Sequence, residues 1–151
     1  EKVVRNSEIP VLVIKNKHDS FTIKNAVFAC DFSSENQDVF NKAMKFYEIL
    51  NSKVTLLYIN VPGQNYRNTK EMETLVKNFL LKTNAIHLLN HVVYYNDYTV
   101  EDGIFNFSLE NDIDAIALPT HGRRGLAHFF SGSISEDLVN HSDIPVITFK
   151  I

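Results

Sequence analysis

An α/β fold built on a doubly wound parallel sheet follows from two features of this chain. Short apolar runs alternate with segments whose apolar residues recur at three-to-four spacing, the order expected of strand–helix units. The runs themselves are too continuously apolar for half-exposed antiparallel strands, so they fit a sheet covered on both faces by helices. Its 151 residues, 44% of them hydrophobic, suffice for one compact domain with a real core.

The chain opens with an internal echo. Residues 1–15, EKVVRNSEIPVLVIK, align with residues 136–150, EDLVNHSDIPVITFK. Glu1 and Glu136, Val4 and Val139, Ser7 and Ser142, Ile9 and Ile144, Pro10 and Pro145, Val11 and Val146, and Lys15 and Lys150 are identical. Self-similarity of this kind marks a repeat. Residues 1–15 are therefore expected to be the last helix and strand of a preceding repeat, residues 16–24 a linker, and residues 25–151 a complete domain.

That domain is expected to begin with a strand at residues 26–30, ending at Asp31 and Ser33, with Ser34 and Gln37 as a capping box. The first helix then buries Val39, Phe40, Ala43, Met44, Tyr47 and Leu50. Residues 54–59 form the second strand, and a polar loop with Pro62, Gly63 and Asn65 leads to a helix facing inward through Met72, Leu75, Val76, Phe79 and Leu80. Between Asn84 and Asn96 the pattern fits either a continuing helix or an edge strand, with β-branched and aromatic residues favouring a strand from about His91. Thr99 and Asp102 cap a third helix, apolar at Val100, Ile104 and Phe107. Residues 115–118 are the fourth strand, residues 133–141 the fourth helix and residues 146–149 the last strand.

Composition removes several function classes. Fifteen basic against 18 acidic residues give a net charge of −3, and no long Lys/Arg block exists to track a nucleic acid backbone. A lone cysteine, Cys30, allows no intrachain disulfide and suits a reducing compartment. No signal-peptide pattern opens the sequence, and no apolar run approaches the ~18 residues that span a bilayer. A cytoplasmic location with no membrane or nucleic acid partner is the expectation. His87 and His91 are four apart, yet no second ligand pair at zinc spacing accompanies them, so no metal site is expected. His121 has no nucleophile elbow or acid pair around it that would complete a catalytic set. A phosphorylated receiver domain would need an aspartate after the third strand, and none is suitably placed.

The stretch of residues 120–136, THGRRGLAHFFSGSISE, carries the chemistry. It reads as a loop from a strand end to a helix start. Gly122 and Gly132 let backbone approach a ligand closely, Arg123 and Arg124 add positive charge, and Ser133 with Glu136 forms a capping box. The N–H groups and positive dipole end of that helix favour an anion. The dipole alone supplies only about 0.3 to 1 kcal/mol, so affinity requires several converging donors. Neither G-K-[ST] nor G-x-G-x-x-G is present.

The same stretch resembles the signature of the universal stress protein family, G-x2-G-x9-G-[ST], whose members with the full pattern bind ATP. Gly122 is followed by nine residues, then Gly132 and Ser133, while Pro119 stands at the first glycine position. DAIALPTHGRRGL and GSISEDLVNHSDIPVITFK also look like that family along their whole length. The resemblance implies an adenine nucleotide alpha hydrolase-like fold. Counting the five predicted strands along the chain, it implies the order 3-2-1-4-5 with the topological switch between strands 1 and 4, where ligands bind. It implies that Ala29, Cys30 and Asp31, with Ile59, line the adenine end of a pocket, and that Gly122, Gly132, Ser133 and Ser135 hold ribose and phosphates; from their place in the loop, His121 and Arg123 are added as candidates to approach the ligand. Pro119 lacks an N–H; losing one charge-assisted hydrogen bond would cost about 1.5 to 3 kcal/mol, roughly tenfold to a hundredfold in affinity.

Two function classes follow. One is a stress-response regulatory module that binds ATP, with Mg only as the nucleotide's companion. The other binds no nucleotide and acts through dimerisation and protein contacts. The chain is not expected to be an enzyme, because slow ATP hydrolysis would need a positioned water and metal that the sequence does not identify. Family members pair last strands antiparallel, so a homodimer or tandem pairing through residues 146–150 is expected, with residues 11–15 lying against that strand of the same or another chain.

Overall fold

The computed structural model describes residues 7–16, 20–120 and 143–151. Strand β1 (Val11–Val13) precedes β2 (Asn25–Ala29), and a short 3-10 turn, Ser34–Asn36, leads into helix α1 (Gln37–Ile49). There follow β3 (Lys53–Asn60), α2 (Thr69–Lys82), a 3-10 segment Ile86–His91, β4 (Val92–Asn96), α3 (Val100–Glu110), β5 (Ala115–Thr120) and β6 (Val146–Lys150). The ambiguous region thus divides: its first part is helical in the tight 3-10 form, and the strand starts one residue past His91.

The sheet order is β1-β6-β5-β2-β3-β4. Strands β2 to β6 are mutually parallel and reproduce the expected five-stranded order. The expectation of a purely parallel five-stranded sheet is corrected by β1, which adds a sixth strand antiparallel to β6 in the register Val11↔Thr148, Leu12↔Ile147, Val13↔Val146. The last strand is therefore not the edge of the sheet. A lysine–carboxylate contact between Lys150 and Glu8 and a hydrogen bond from Asn16 Nδ2 to Asp143 (3.3 Å) flank the added pair.

Alternation along the strands divides the core. Phe28, Leu56, Ala117, Ile147 and Phe149 face one way and pack with Val39, Phe40 and Tyr47 of α1 and Val76, Phe79 and Leu80 of α2. Val27, Leu57, Ile116, Leu118 and Val146 face the other way and pack with Ile104 and Phe107 of α3. Met44 and Leu75 are only partly buried, and Leu50 lies at the exposed C-cap of α1.

Capping sets the helix limits. Asn68 and Glu71 form a reciprocal capping box at α2, and the Thr99 hydroxyl accepts the Asp102 N–H (3.1 Å) at α3 as expected. The box expected from Ser34 and Gln37 is absent, because Ser34 lies inside the 3-10 turn and α1 starts only at Gln37 with Asn36 as its N-cap. Each of the helices α1 to α3 is followed by an Asn or Asp at positive φ, Asn51, Asn84 and Asp112, the left-handed position that lets the next N–H reach back to a free carbonyl. Ser52 N–H to Tyr47 O (3.0 Å) and Ala85 N–H to Leu80 O (2.8 Å) are such bonds.

Candidate functional site

A cavity of about 340 Å3 opens over the C-terminal ends of β2 and β3. Its walls include Ala29, Cys30, Asp31 and Ile59, so four sequence-predicted residues from two strands meet in one space. Pro119 is not among the lining residues. It lies within β5, one residue inside the strand end, paired with Phe149 and buried, instead of following the strand as the sequence suggested. The missing N–H is tolerated because the β2 ladder alongside β5 has already ended at Phe28↔Ala117. His121, Gly122, Arg123, Gly132, Ser133 and Ser135 lie outside the described residues, as do the helix expected at residues 133–141 and the Ser133–Glu136 box.

The exit from β2 is built by local hydrogen bonds. Asp31 Oδ1 accepts the Ser33 N–H (2.8 Å) and the Asn36 side-chain amide (2.7 Å), folding the chain sharply back into α1. Between them Phe32 takes φ 55°, a left-handed backbone that costs a bulky residue about 1 to 3 kcal/mol. Burial offsets this: the Phe32 ring is 2% exposed and meets Phe79 edge-on at 5.3 Å and Tyr58 at 6.3 Å. Next to it, burial pushes the Cys30 thiol well above its ordinary range, with a Phe32 backbone hydrogen bond opposing and the Asp31 charge adding. Burial thus favours the neutral thiol at this wall of the cavity.

The exit from β3 is built from farther away. Asn60, 4% exposed, donates from Nδ2 to Arg67 O (3.1 Å) and accepts the Arg67 N–H at Oδ1 (3.1 Å). Its amide also donates to Asn96 Oδ1 (3.0 Å), its register partner on β4. One buried side chain therefore pins the whole excursion of residues 61–66, which includes Gly63 at φ 106°. Arg67 reaches the cavity beside Tyr58, whose hydroxyl is raised above its ordinary pKa by burial and by Asp31 while Arg67 pulls it back.

The third wall comes from α3 through Val100 and Ile104. Gly103 makes this approach workable: a Cβ there would stand 2.7 Å from Ile59 Cγ2 and 3.2 Å from Asp97 Cβ. Sequence reasoning missed Tyr58, Asn65, Arg67, Val100 and Ile104 as cavity residues. A signal existed in part, since Thr99 and Asp102 already located the start of α3. Nothing in the sequence links Asn60 to Arg67. Among the described residues no cluster of three or more His, Cys, Asp or Glu side chains could hold a metal ion. No helix among them is long and apolar enough to cross a membrane.

The mostly parallel sheet, with helices on both faces and a cavity beyond its strand ends, defines an α/β domain of the doubly wound class, in which ligands generally bind at that end of the sheet. The family model for the universal stress protein family matches residues 22–150, and the chain belongs to that family. Universal stress protein Slr1230 from Synechocystis sp. is 24% identical over 153 residues, covering 99% of this chain and 50% of the relative. A universal stress protein from Archaeoglobus fulgidus DSM 4304 superposes with a TM-score of 0.66 at 18% identity, over 98% of this chain and 52% of that one. The chain thus spans about half the length of these two relatives. Two other structures are similar in fold over 85% of this chain and 98% of their own. One is a universal stress protein in complex with cAMP (TM-score 0.58, 14% identity). The other is a universal stress protein from Archaeoglobus fulgidus in complex with dAMP (TM-score 0.53, 17% identity).

Proposed function

We propose that this chain is a stress-response regulatory module whose cavity over β2 and β3 receives an adenine nucleotide. The carrying observation is the convergence on one cavity of Ala29, Cys30, Asp31 and Ile59, the four residues that the family resemblance assigns to the adenine end. The cAMP and dAMP complexes of similarly folded proteins support the same ligand class. In this reading Ile59, Val100 and Ile104 flank the base and Asp31 accepts from it. Gly122, Gly132, Ser133 and Ser135, with His121 and Arg123, approach ribose and phosphates. ATP, with Mg accompanying it, is the ligand to test first, and the chain binds rather than turns over its nucleotide. Mass spectrometry of small molecules released on denaturing the purified chain, followed by calorimetric titration with Mg-ATP and AMP, tests this. Bound adenine nucleotide or a saturable heat is the expected result. Neither released nucleotide nor heat up to millimolar ligand would leave the interaction-only function. Pro119→Gly restores the family's glycine and should tighten binding by about tenfold if a backbone N–H is what the proline removes.

A second reading is favoured by the β1–β6 ladder. Through the repeat alignment Val11 corresponds to Val146, Leu12 to Ile147 and Val13 to Thr148. Interchanging the two strands therefore turns the pair Val11↔Thr148 into Val146↔Val13, and Leu12↔Ile147 into itself. A ladder that maps onto itself is what two equivalent last strands make about a two-fold axis. This supports residues 1–15 as the closing segment of a tandem repeat, with residues 16–24 as linker. It also supports pairing of last strands between repeats or copies. Size-exclusion chromatography with light scattering on the chain tests pairing between copies; a monomeric mass at every concentration would remove the dimer.

A further inference from the structure

The cavity assigned above to a nucleotide carries one feature that the family signature does not contain. Among its described walls Arg67 is the only cation and Asp31 the only anion. Their commitments differ. Asp31 Oδ1 already accepts two hydrogen bonds from its own turn. Arg67 is fixed by its main chain, where the Asn60 amide brackets its N–H and C=O, and its exposed guanidinium meets the Tyr58 hydroxyl at the mouth with further N–H donors to offer. A guanidinium anchored at its backbone suits an oxyanion, which it can meet with two parallel N–H donors. A buried amide devoted to holding one exposed backbone position also limits the ordering cost of that contact, as preorganised sites do. The volume of about 340 Å3 is at the small end of the roughly 300 to 1,000 Å3 usual for ligand pockets, a size for one nucleotide unit and not an extended ligand.

We propose that Arg67, held by Asn60, meets the anionic group of the ligand from the β3 side, so that the cavity selects a nucleoside monophosphate over the bare nucleoside. The inference rests on the nucleotide reading and adds to it a residue outside the glycine loop. It also assigns Asn60 as a positioning residue that acts through Arg67 without touching the ligand.

Calorimetric titration of the whole chain with AMP and with adenosine separates the two ideas. The expected result is AMP binding about tenfold to a hundredfold tighter than adenosine. Arg67→Met and Arg67→Gln should lower that preference several-fold, beyond any change in adenosine affinity, and Arg67→Lys should restore part of it. Asn60→Ser should reduce the preference less than Arg67→Met does. An unaltered AMP-over-adenosine ratio in both Arg67→Met and Arg67→Gln overturns the role of Arg67 while the pocket stands. Equal affinities for AMP and adenosine in the unsubstituted chain do the same. No binding of either ligand overturns the nucleotide reading, and this inference falls with it. Thermal melts of each variant guard the comparison, since the exposed guanidinium should be removable without loss of fold.

Discussion

The two strand exits that frame the cavity solve one problem by opposite means. At the end of β2 a carboxylate organises its own turn: Asp31 bonds to residues two and five positions on, and the backbone strain falls on Phe32. At the end of β3 a buried amide reaches across seven residues to grip the chain as it returns, and Arg67 carries the exposed charge. The first exit commits one oxygen of its charged group to structure. The second keeps structure and charge on separate residues, with the Asn60 amide holding the chain and the Arg67 guanidinium standing beside the Tyr58 hydroxyl.

The largest blow to this contrast is expected from Phe32→Ala. It removes a fully buried ring and the reason for the left-handed backbone, so it should cost about 3 to 5 kcal/mol in urea unfolding. A loss below about 1 kcal/mol would mean that the ring does not hold the β2 exit. Asn60→Ala comes next, at about 1 to 3 kcal/mol, because it leaves the Arg67 N–H and C=O without their partner. Hydrogen exchange should accelerate at the Arg67 amide and not at Ser33. Acceleration at both would show the exits to be one cooperative unit.

Gly103→Ala probes the wall shared by both. Helix propensity favours alanine by about 1 kcal/mol, while forcing a Cβ against Ile59 costs about 1 to 3 kcal/mol. A net loss near 1 kcal/mol, on the order of the difference between those two effects, is expected, with weakened ligand binding. A gain in stability would show that Ile59 yields freely. The smallest effect belongs to Cys30. Its thiol pKa is raised on folding, so its contribution is complete below the unfolded value near 9.0 and is lost as pH rises toward the folded one. Above about pH 9 the stability of the native chain should therefore decline relative to Cys30→Ala. At neutral pH iodoacetamide should label Cys30 slowly, and faster in Phe32→Ala.

The same contrast explains what is legible in the sequence. Strand β2, helix α1 and Asp31 follow from local signals, an apolar run, a three-to-four spacing and a turn-forming side chain, and the two elements lie close to their expected positions. The strand order follows from family resemblance, since nothing local says which strands are neighbours. Arg67 is one of many exposed charges until Asn60 is seen to hold it, so no sequence pattern singles it out. The Ser34–Gln37 box fails for a related reason: the Asp31–Asn36 bond takes over the turn, and the helix starts at Gln37 instead of just after Ser34. Pro119 falls beyond its strand when proline is read as a strand breaker, whereas here one neighbouring ladder has already stopped.

The self-matching ladder between β1 and β6 also has a bearing on concentration. A second molecule that offers its own last strand to β6 must displace a tethered competitor of nearly the same sequence and register. A strand joined to its site by a short connection acts as though present at about millimolar concentration. Free copies in the micromolar range would rarely win that exchange, whereas copies crowded together, or repeats fused in one polypeptide, would meet on equal terms.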